Sequence, residues 1–346
     1  MSPRAPAAAF IEVLSARMSG RRPSAVGQPF QGMRLADLMA SRMGLSTRDP
    51  NEILHRTAMG TSDFPFLLEA AANKVLLESF RSAPQIYRLV AERRDMADFK
   101  DHSFLRASDF PALLPLGEGG QIRFGALSET REKLALKTKA RAVSLTRQMI
   151  INDDLGAFGD MVRGAARSAA NTEERMFIEL LALNSGGGPT MSDGQPMFST
   201  AHGNRATTPT ALDKDNLAKG RAAMRAQKNL DSEVLDISPS LIMAGVERET
   251  EAEALITAIQ PNSTANVNPF AGKLSAVASG RLPPSAWYLF ADPQRDGANF
   301  VYGYLSGQDG PAVRVDRPFN YDGVSFGVVH DFAVGGVDYR FGYLNA

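Results

Sequence analysis

The sequence contains no cysteine. That excludes disulfides, thiolate metal sites and cysteine nucleophiles. Histidine is nearly as scarce, with four residues (His55, His102, His202 and His330), none in a metal-ligand spacing such as HExxH. No run of about 18 apolar residues occurs, so no segment reads as a membrane-crossing helix. The apolar stretch Ala7–Leu14 is short and interrupted by Glu12, unlike a signal peptide, and a cytoplasmic setting is expected. An excess of charge is also missing: Lys plus Arg and Asp plus Glu both total 38. A dedicated nucleic-acid binder normally carries a basic excess. A container for nucleic acid need not, since it has only to avoid repelling or trapping its contents.

What is present is an ordinary globular composition, 44% apolar and 22% charged over 346 residues, enough for one large or two medium domains. The first fifty residues stand apart, with seven arginines against Glu12, Asp37 and Asp49. They hold two short amphipathic pieces, Phe10–Met18 and Leu35–Met43, and read as an arm with little core of its own, either docked or a disordered tail. A stronger helix is expected from Thr61 to about Ser82, with Ser62 or Asp63 as cap and Pro65 in its first turn. Lys133–Arg147 alternates, with Lys133, Lys137, Lys139 and Arg141 on one face and Leu134, Leu136, Ala140 and Ala142 on the other. Gln121–Leu127 alternates too, with Ile122 and Phe124 on one side. Together they predict a long two-stranded hairpin, which is marginal alone in water and needs a cover. Asp153–Asp154 caps a predicted helix over Leu155–Asn184, some 45 Å long at about 1.5 Å per residue. Beyond it the patterns predict a helix over Asp213–Asn229, a buried strand over Pro239–Ala244, and a helix over Glu247–Ile259. Strands follow over Ala286–Ala291 and Phe300–Leu305, then a closing hairpin of Val324–Phe332 with Val337–Tyr343. The fold class is α+β.

No constellation carries chemistry. His202 in Phe198-Ser-Thr-Ala-His-Gly-Asn invites a Ser/His hydrolase reading, but a nucleophile of that kind sits on a strained elbow and this segment lacks one. Asp153 and Asp154 are explained by capping. Gly117-Glu-Gly-Gly and Gly186-Gly-Gly-Pro fit no phosphate-binding spacing, and the second follows a helix instead of opening one. No catalytic residue, cofactor or metal is expected.

Several segments resemble one family in combination. They are Thr61-Ser-Asp-Phe-Pro, Ala72-Asn-Lys-Val-Leu, Asp98-Phe-Lys, Leu116-Gly-Glu-Gly-Gly, the run from Ser144 to Phe158 (Ser-Leu-Thr-Arg-Gln-Met-Ile-Ile-Asn-Asp-Asp-Leu-Gly-Ala-Phe), Val267-Asn-Pro-Phe-Ala-Gly-Lys-Leu, and Ala286-Trp-Tyr-Leu-Phe-Ala-Asp-Pro. From Thr61 onward the chain is similar to major capsid proteins of tailed bacteriophages, in particular the Mu-like group whose capsid protein is often fused behind a prohead protease. Residues 1–60 do not resemble that protease, and no protease activity is carried over. The resemblance implies a capsid fold with an N-terminal arm or scaffold-like segment (1–60), a helical arm (61–96), an extended-loop hairpin (97–148), a peripheral domain with a long spine helix (149–210), an axial domain (211–315) and strands returning to the peripheral domain (316–346). It implies a structural protein of the virion, not an enzyme, that assembles in the host cytoplasm into pentamers and hexamers of an icosahedral head around double-stranded DNA. The implied partners are the protein itself, scaffold, prohead protease and portal, and packaged DNA through non-specific contact, with no membrane.

On this reading Lys133, Lys137, Lys139, Arg141, Ile122 and Phe124 form a subunit interface, and residues 1–60 are dispensable for folding but not for correct assembly. The rival readings are a bacterial nanocompartment shell with protein cargo and, from another class, the His202 hydrolase.

Overall fold

The computed structural model describes residues 6–46, 49, 52, 64–104, 120, 131–146, 155–229, 232–257, 273–316 and 323–346. The helices are α1 Ala7–Met18, α2 Leu35–Met43, α3 Phe64–Ser82, α4 Leu155–Gly186, α5 Lys214–Arg225 and α6 Glu249–Ile256. The strands are β1 Ala91–Arg93, β2 His102–Phe104, β3 Glu132–Leu134, β4 Lys137–Thr146, β5 Pro239–Gly245, β6 Ser275–Ser279, β7 Trp287–Ala291, β8 Phe300–Tyr304, β9 Ala312–Asp316, β10 Gly323–Gly336 and β11 Gly342–Asn345. The chain forms two compact units, each assembled from three stretches: residues 1–84, 137–172 and 307–332, and residues 85–136, 173–306 and 333–346.

In the first unit α1 packs on α3. Phe10, Val13, Leu14 and Met18 of α1 are at most 1% exposed, as are Leu68, Ala71, Val75, Leu76 and Phe80 of α3. Glu12, which breaks the apolar stretch in sequence, ties the helices together: one carboxylate oxygen accepts from Lys74 Nζ at 2.6 Å and the other from the Ser24 backbone N–H at 3.1 Å. The lysine contact and the Ser24 bond hold the Glu12 carboxyl down at about 2. Of the two readings of the N-terminal segment, docked arm or disordered tail, α1 is docked: it packs on α3 and its apolar face joins this unit's core. Periodicity located the helix, but nothing local identified α3 as its partner. Gly159 in α4 allows the helix to pass the end of α1, since a Cβ there would lie 2.1 Å from the Met18 carbonyl oxygen. Arg163 donates to the same oxygen.

Strand β10 pairs antiparallel with β4 (His330 opposite Lys139, Val328 opposite Arg141) and with β9 (Gly327 opposite Arg314). Along the other side of β9, the Asn73 amide donates to the Val313 carbonyl (3.2 Å) and accepts from its N–H (2.6 Å), so a side chain stands in for a further strand.

In the second unit a four-stranded sheet runs in the order β11-β7-β5-β6, with β5 and β6 parallel and the other pairs antiparallel. Leu217 and Met224 of α5 and Ala252 and Leu255 of α6 join Ile242, Ala244, Trp287, Leu289 and Tyr343 in one buried cluster. Gly220 lets α5 approach closely, because a Cβ would lie 2.8 Å from Leu289 Cδ1. Asp213 caps α5 by accepting from the Asn216 N–H at 2.8 Å. Strands β1 and β8 pair in parallel, and β2 and β3 antiparallel.

Two strand expectations are corrected. Lys133–Arg147 is not one strand but two, interrupted at Ala135–Leu136. Leu136 is buried with Met96 and Ala333, which pins the chain there. β3 then pairs with β2, whereas β4 pairs with β10, almost two hundred residues later. The closing hairpin does not form either: β10 extends to Gly336, and β11 leaves it to pair with β7. Both errors share a cause, since alternation reports an extended backbone but not its partner. The long helix is helical to Ala182; Leu183 is extended and Asn184 and Ser185 adopt left-handed conformations before Gly186.

Candidate functional site

Strand β4 holds three of the six expected interface residues. Lys137, Thr138, Lys139, Ala140, Arg141 and Ala142 are all exposed, on both faces of the strand. Alternation usually accompanies one buried face, yet here Ala140 and Ala142 lie as open as the cations between them. The strand is held through its backbone by β10 and through one side-chain bond of 2.5 Å, Thr138 Oγ1 to the buried Asp331. Lys133 is exposed too, but it sits in β3, which the break at Leu136 separates from β4. The four cations expected on one strand face are thus divided between two strands. Ile122 and Phe124 lie outside the described residues, as do Gln121–Leu127 and Asp153–Asp154.

The His202 neighbourhood is structural in its geometry. His202 Nε2 lies 2.8 Å from Asp193 Oδ2 and Nδ1 lies 3.1 Å from the Met197 carbonyl oxygen, so neither ring nitrogen faces a serine hydroxyl. The ring stacks on Tyr339 at 3.7 Å. Ser199 Oγ accepts from the His202 backbone N–H at 3.2 Å, a turn contact and not a nucleophile–base bond. A depression of about 480 Å³ beside the ring is lined by Gln227, Lys228, Asn229, Tyr339 and Arg340 among others; among the described residues its lining offers no hydroxyl or carboxylate nucleophile except the Tyr339 phenol. One Gly-x-Ser-x-Gly string exists, Gly323-Val-Ser-Phe-Gly, and it lacks the elbow as well. Ser325 sits within β10, opposite Ser144 and Asp316. Among the described residues, no group of three or more His, Asp or Glu could hold a metal, and no helix is long and apolar enough to cross a membrane.

Reasoning from sequence missed a buried polar clamp. Glu173 and Glu174, in the middle of α4, are 0% and 6% exposed. Glu173 accepts from the Tyr87 hydroxyl at 2.8 Å and from the Gln85 side-chain amide. Glu174 accepts from the backbone N–H groups of Ile86 (2.9 Å) and Tyr87 (3.5 Å). Arg88 lies 4.0 Å from Glu173 and donates to the hydroxyls of Tyr87 and Tyr304. Burial raises the Glu174 carboxyl above its ordinary range, against the two backbone donors that favour its charged form. The only sequence signal was a pair of adjacent acids in a helix, which looks like any solvated helical surface.

Comparison with known proteins bears on what such a chain does. Residues 129–345 match the model of a family described as phage capsid protein. No curated protein sequence matches. Among solved structures, a phage-related protein from Bordetella bronchiseptica RB50 superposes with a TM-score of 0.52 at 13% identity, covering 78% of this chain and 95% of that one. A virus-like particle from Pyrococcus furiosus gives 0.50 at 11% identity, over 80% and 98% of the two chains. The procapsid of bacteriophage JBD30 gives 0.46 at 16% identity, over 82% and 75%, too low a score to carry weight.

Proposed function

Because the chain belongs to the phage capsid protein family, we propose that it self-assembles into pentamers and hexamers of an icosahedral head that encloses double-stranded DNA. Its work is association, not turnover. Head-to-tail contacts between copies close into rings when the rotation permits, which is how a capsomer forms. The observation that carries the reading is β4, a strand of six consecutive exposed residues that folding of the subunit leaves uncovered on both faces. An edge strand of this kind offers unpaired backbone groups to another chain, and its lysines and arginine discourage indiscriminate pairing while leaving a partner of complementary charge free to dock. On this reading the cover is an adjacent copy, with Lys133, Lys137, Lys139 and Arg141, and with Ile122 and Phe124 from the neighbouring segment, facing that copy's carboxylates and apolar surface.

Within the family, the segments quoted above point to the Mu-like group. The proposed roles of the chain segments follow: residues 97–148 as the extended loop laid over a neighbour, 149–210 as the peripheral domain with its spine helix, 211–315 as the axial domain, and 316–346 as returning strands. Scaffold, prohead protease and portal are the expected assembly partners, the host cytoplasm the place of assembly, and contact with packaged DNA non-specific.

The test is negative-stain imaging of the purified protein, with a nuclease-protection assay of particles from producing cells. Closed shells holding protected double-stranded DNA support the reading. Closed shells holding a protein cargo favour the nanocompartment reading instead, which the likeness to the Pyrococcus furiosus particle keeps in view. A monomer with hydrolase activity that His202→Ala abolishes overturns both.

A further inference from the structure

Two helices of the second unit carry opposite charge and stand at opposite ends of one sheet. Helix α5 packs on β11, and α6 packs on β5 and β6, in a sheet ordered β11-β7-β5-β6. Helix α5 carries Lys214, Lys219, Arg221 and Arg225 against a single acid, Asp215. Arg225 is taken up by Asp236 at 2.6 Å, but Lys219 and, just beyond the helix, Lys228 are exposed with no ion pair among the described residues. The region of α6 has the reverse composition, Glu247, Glu249, Glu251 and Glu253 against Arg248. Arg248 pairs with Glu251 at 2.9 Å, which leaves Glu247, Glu249 and Glu253 exposed and without an ion pair among the described residues.

The helix macrodipole accounts for acids in the first turn, hence for Glu249 and Glu251. It does not account for Glu253, nor for the concentration of unpaired cations at the opposite end of the same sheet. Only Glu251 is engaged from the α5 side, by the Leu212 N–H at 3.2 Å; Glu247, Glu249 and Glu253 meet no cation among the described residues of their own copy and are open to one on a neighbour. We infer that the acidic α6 edge of one copy docks on the basic α5 edge of the next, a head-to-tail contact between two different faces of the same unit. This rests on the proposed assembly and names one of its contacts. Such a contact is heterologous, so it propagates around a ring. With equal numbers of cations and anions in the chain, copies do not repel one another as wholes, and complementary patches set partner orientation and encounter rate more than raw affinity.

The experiment uses the full-length chain, read by sedimentation and by electron microscopy. Glu249→Lys with Glu253→Lys should leave the subunit folded by near-ultraviolet circular dichroism and abolish fast-sedimenting particles. Lys219→Glu with Lys228→Glu should do the same. Mixing the two variants in equal amounts should restore ring formation, because each reversed edge then meets a reversed partner. Rings from the mixture must alternate, so rings with an even number of copies return and odd ones do not. If either reversal misfolds, Glu249→Gln with Glu253→Gln provides the reading, and its assembly should lose the salt dependence seen for the unaltered protein. Reversed variants that assemble normally overturn the inference and leave the capsid reading intact. So does a folded pair of variants that mixing fails to rescue, or a neutral variant whose salt dependence is unchanged. An unaltered protein that forms no assemblies overturns the capsid reading and this contact with it.

Discussion

Strands β7 and β4 are both extended segments in antiparallel pairings, yet their surroundings are opposite. Every residue of β7, Trp287–Ala291, is buried; its neighbours β11 and β5 flank it, and α5 and α6 pack on the same sheet. Every residue of β4 from Lys137 to Ala142 is exposed, and β10 is its one strand partner among the described residues. The sequences announce the difference. Trp-Tyr-Leu-Phe-Ala is a continuous apolar run, the mark of a strand covered on both faces. Lys-Thr-Lys-Ala-Arg-Ala alternates but sets only one threonine and two alanines against its cations, too little apolar surface to anchor a core. The side chains of the first strand belong to the core, whereas residues 137–142 of the second are tied in by backbone pairing with β10 and leave their side chains exposed.

The contrast can be broken or sharpened by measurement, beginning with the largest effect. Deleting residues 1–60 removes α1 and uncovers the α3 face that carries Leu68, Ala71, Val75 and Leu76. Each buried large apolar side chain lost is worth about 1.5–3 kcal/mol, and several together rival the whole stability of a domain. The truncated protein should be insoluble or lack a cooperative unfolding transition. A soluble product with native circular dichroism would restore the view of this segment as a dispensable arm. Next, Trp287→Ala in β7 removes a fully buried ring that also donates to the Thr210 carbonyl at 3.1 Å, and should cost about 3–5 kcal/mol in denaturant unfolding. A loss of less than about 1 kcal/mol would show that the sheet is not the core described above.

A smaller effect separates two glutamates by the sign of their pH dependence. Glu12, held down at about 2 by Lys74, contributes stability that is complete above its ordinary value of 4.5 and lost as pH falls toward about 2. Glu12→Gln should therefore flatten the acid limb of the stability curve. Glu174, pushed up by burial, acts in the opposite direction: its contribution is present below its ordinary value and lost as pH rises through the raised one. Glu174→Gln should raise the neutral-pH unfolding midpoint, and a lowered midpoint there would mean that its bonds to the backbone of residues 86 and 87 outweigh desolvation. The smallest effect on the subunit is expected at β4. Lys137→Glu with Arg141→Glu should shift monomer stability by no more than about 0.5 kcal/mol, yet prevent closed shells from forming. Each exposed pair is worth only about 0–1 kcal/mol, but a shell repeats it at every subunit. Normal assembly, or a destabilised monomer, would remove β4 from the list of intersubunit contacts.

Much of the fold was legible before any coordinates. The long helix from Leu155, a helix beginning near residue 213 and the buried strand from Pro239 follow from composition and apolar patterning, which are local properties of the chain. Asp193 and Tyr339, which hold the His202 ring, were not legible, since neither lies at a spacing that marks a contact. Of the expected interface, Lys137, Lys139 and Arg141 do share an exposed strand, but Lys133 falls beyond a break that alternation could not reveal.

The sequence by itself determined where the main helices and several strands lie and which of them are apolar, because each depends on residues within a few positions of one another, and its composition balances the charge. Tertiary structure alone decided the partners: α1 against α3, β4 against β10, β11 against β7, and two adjacent glutamates closed over residues 85–88. A strand's own side-chain pattern is compatible with many neighbours, and its backbone offers the same hydrogen bonds to all of them. The choice falls to the arrangement that buries the most apolar surface without leaving polar groups unpaired, a property of the whole chain.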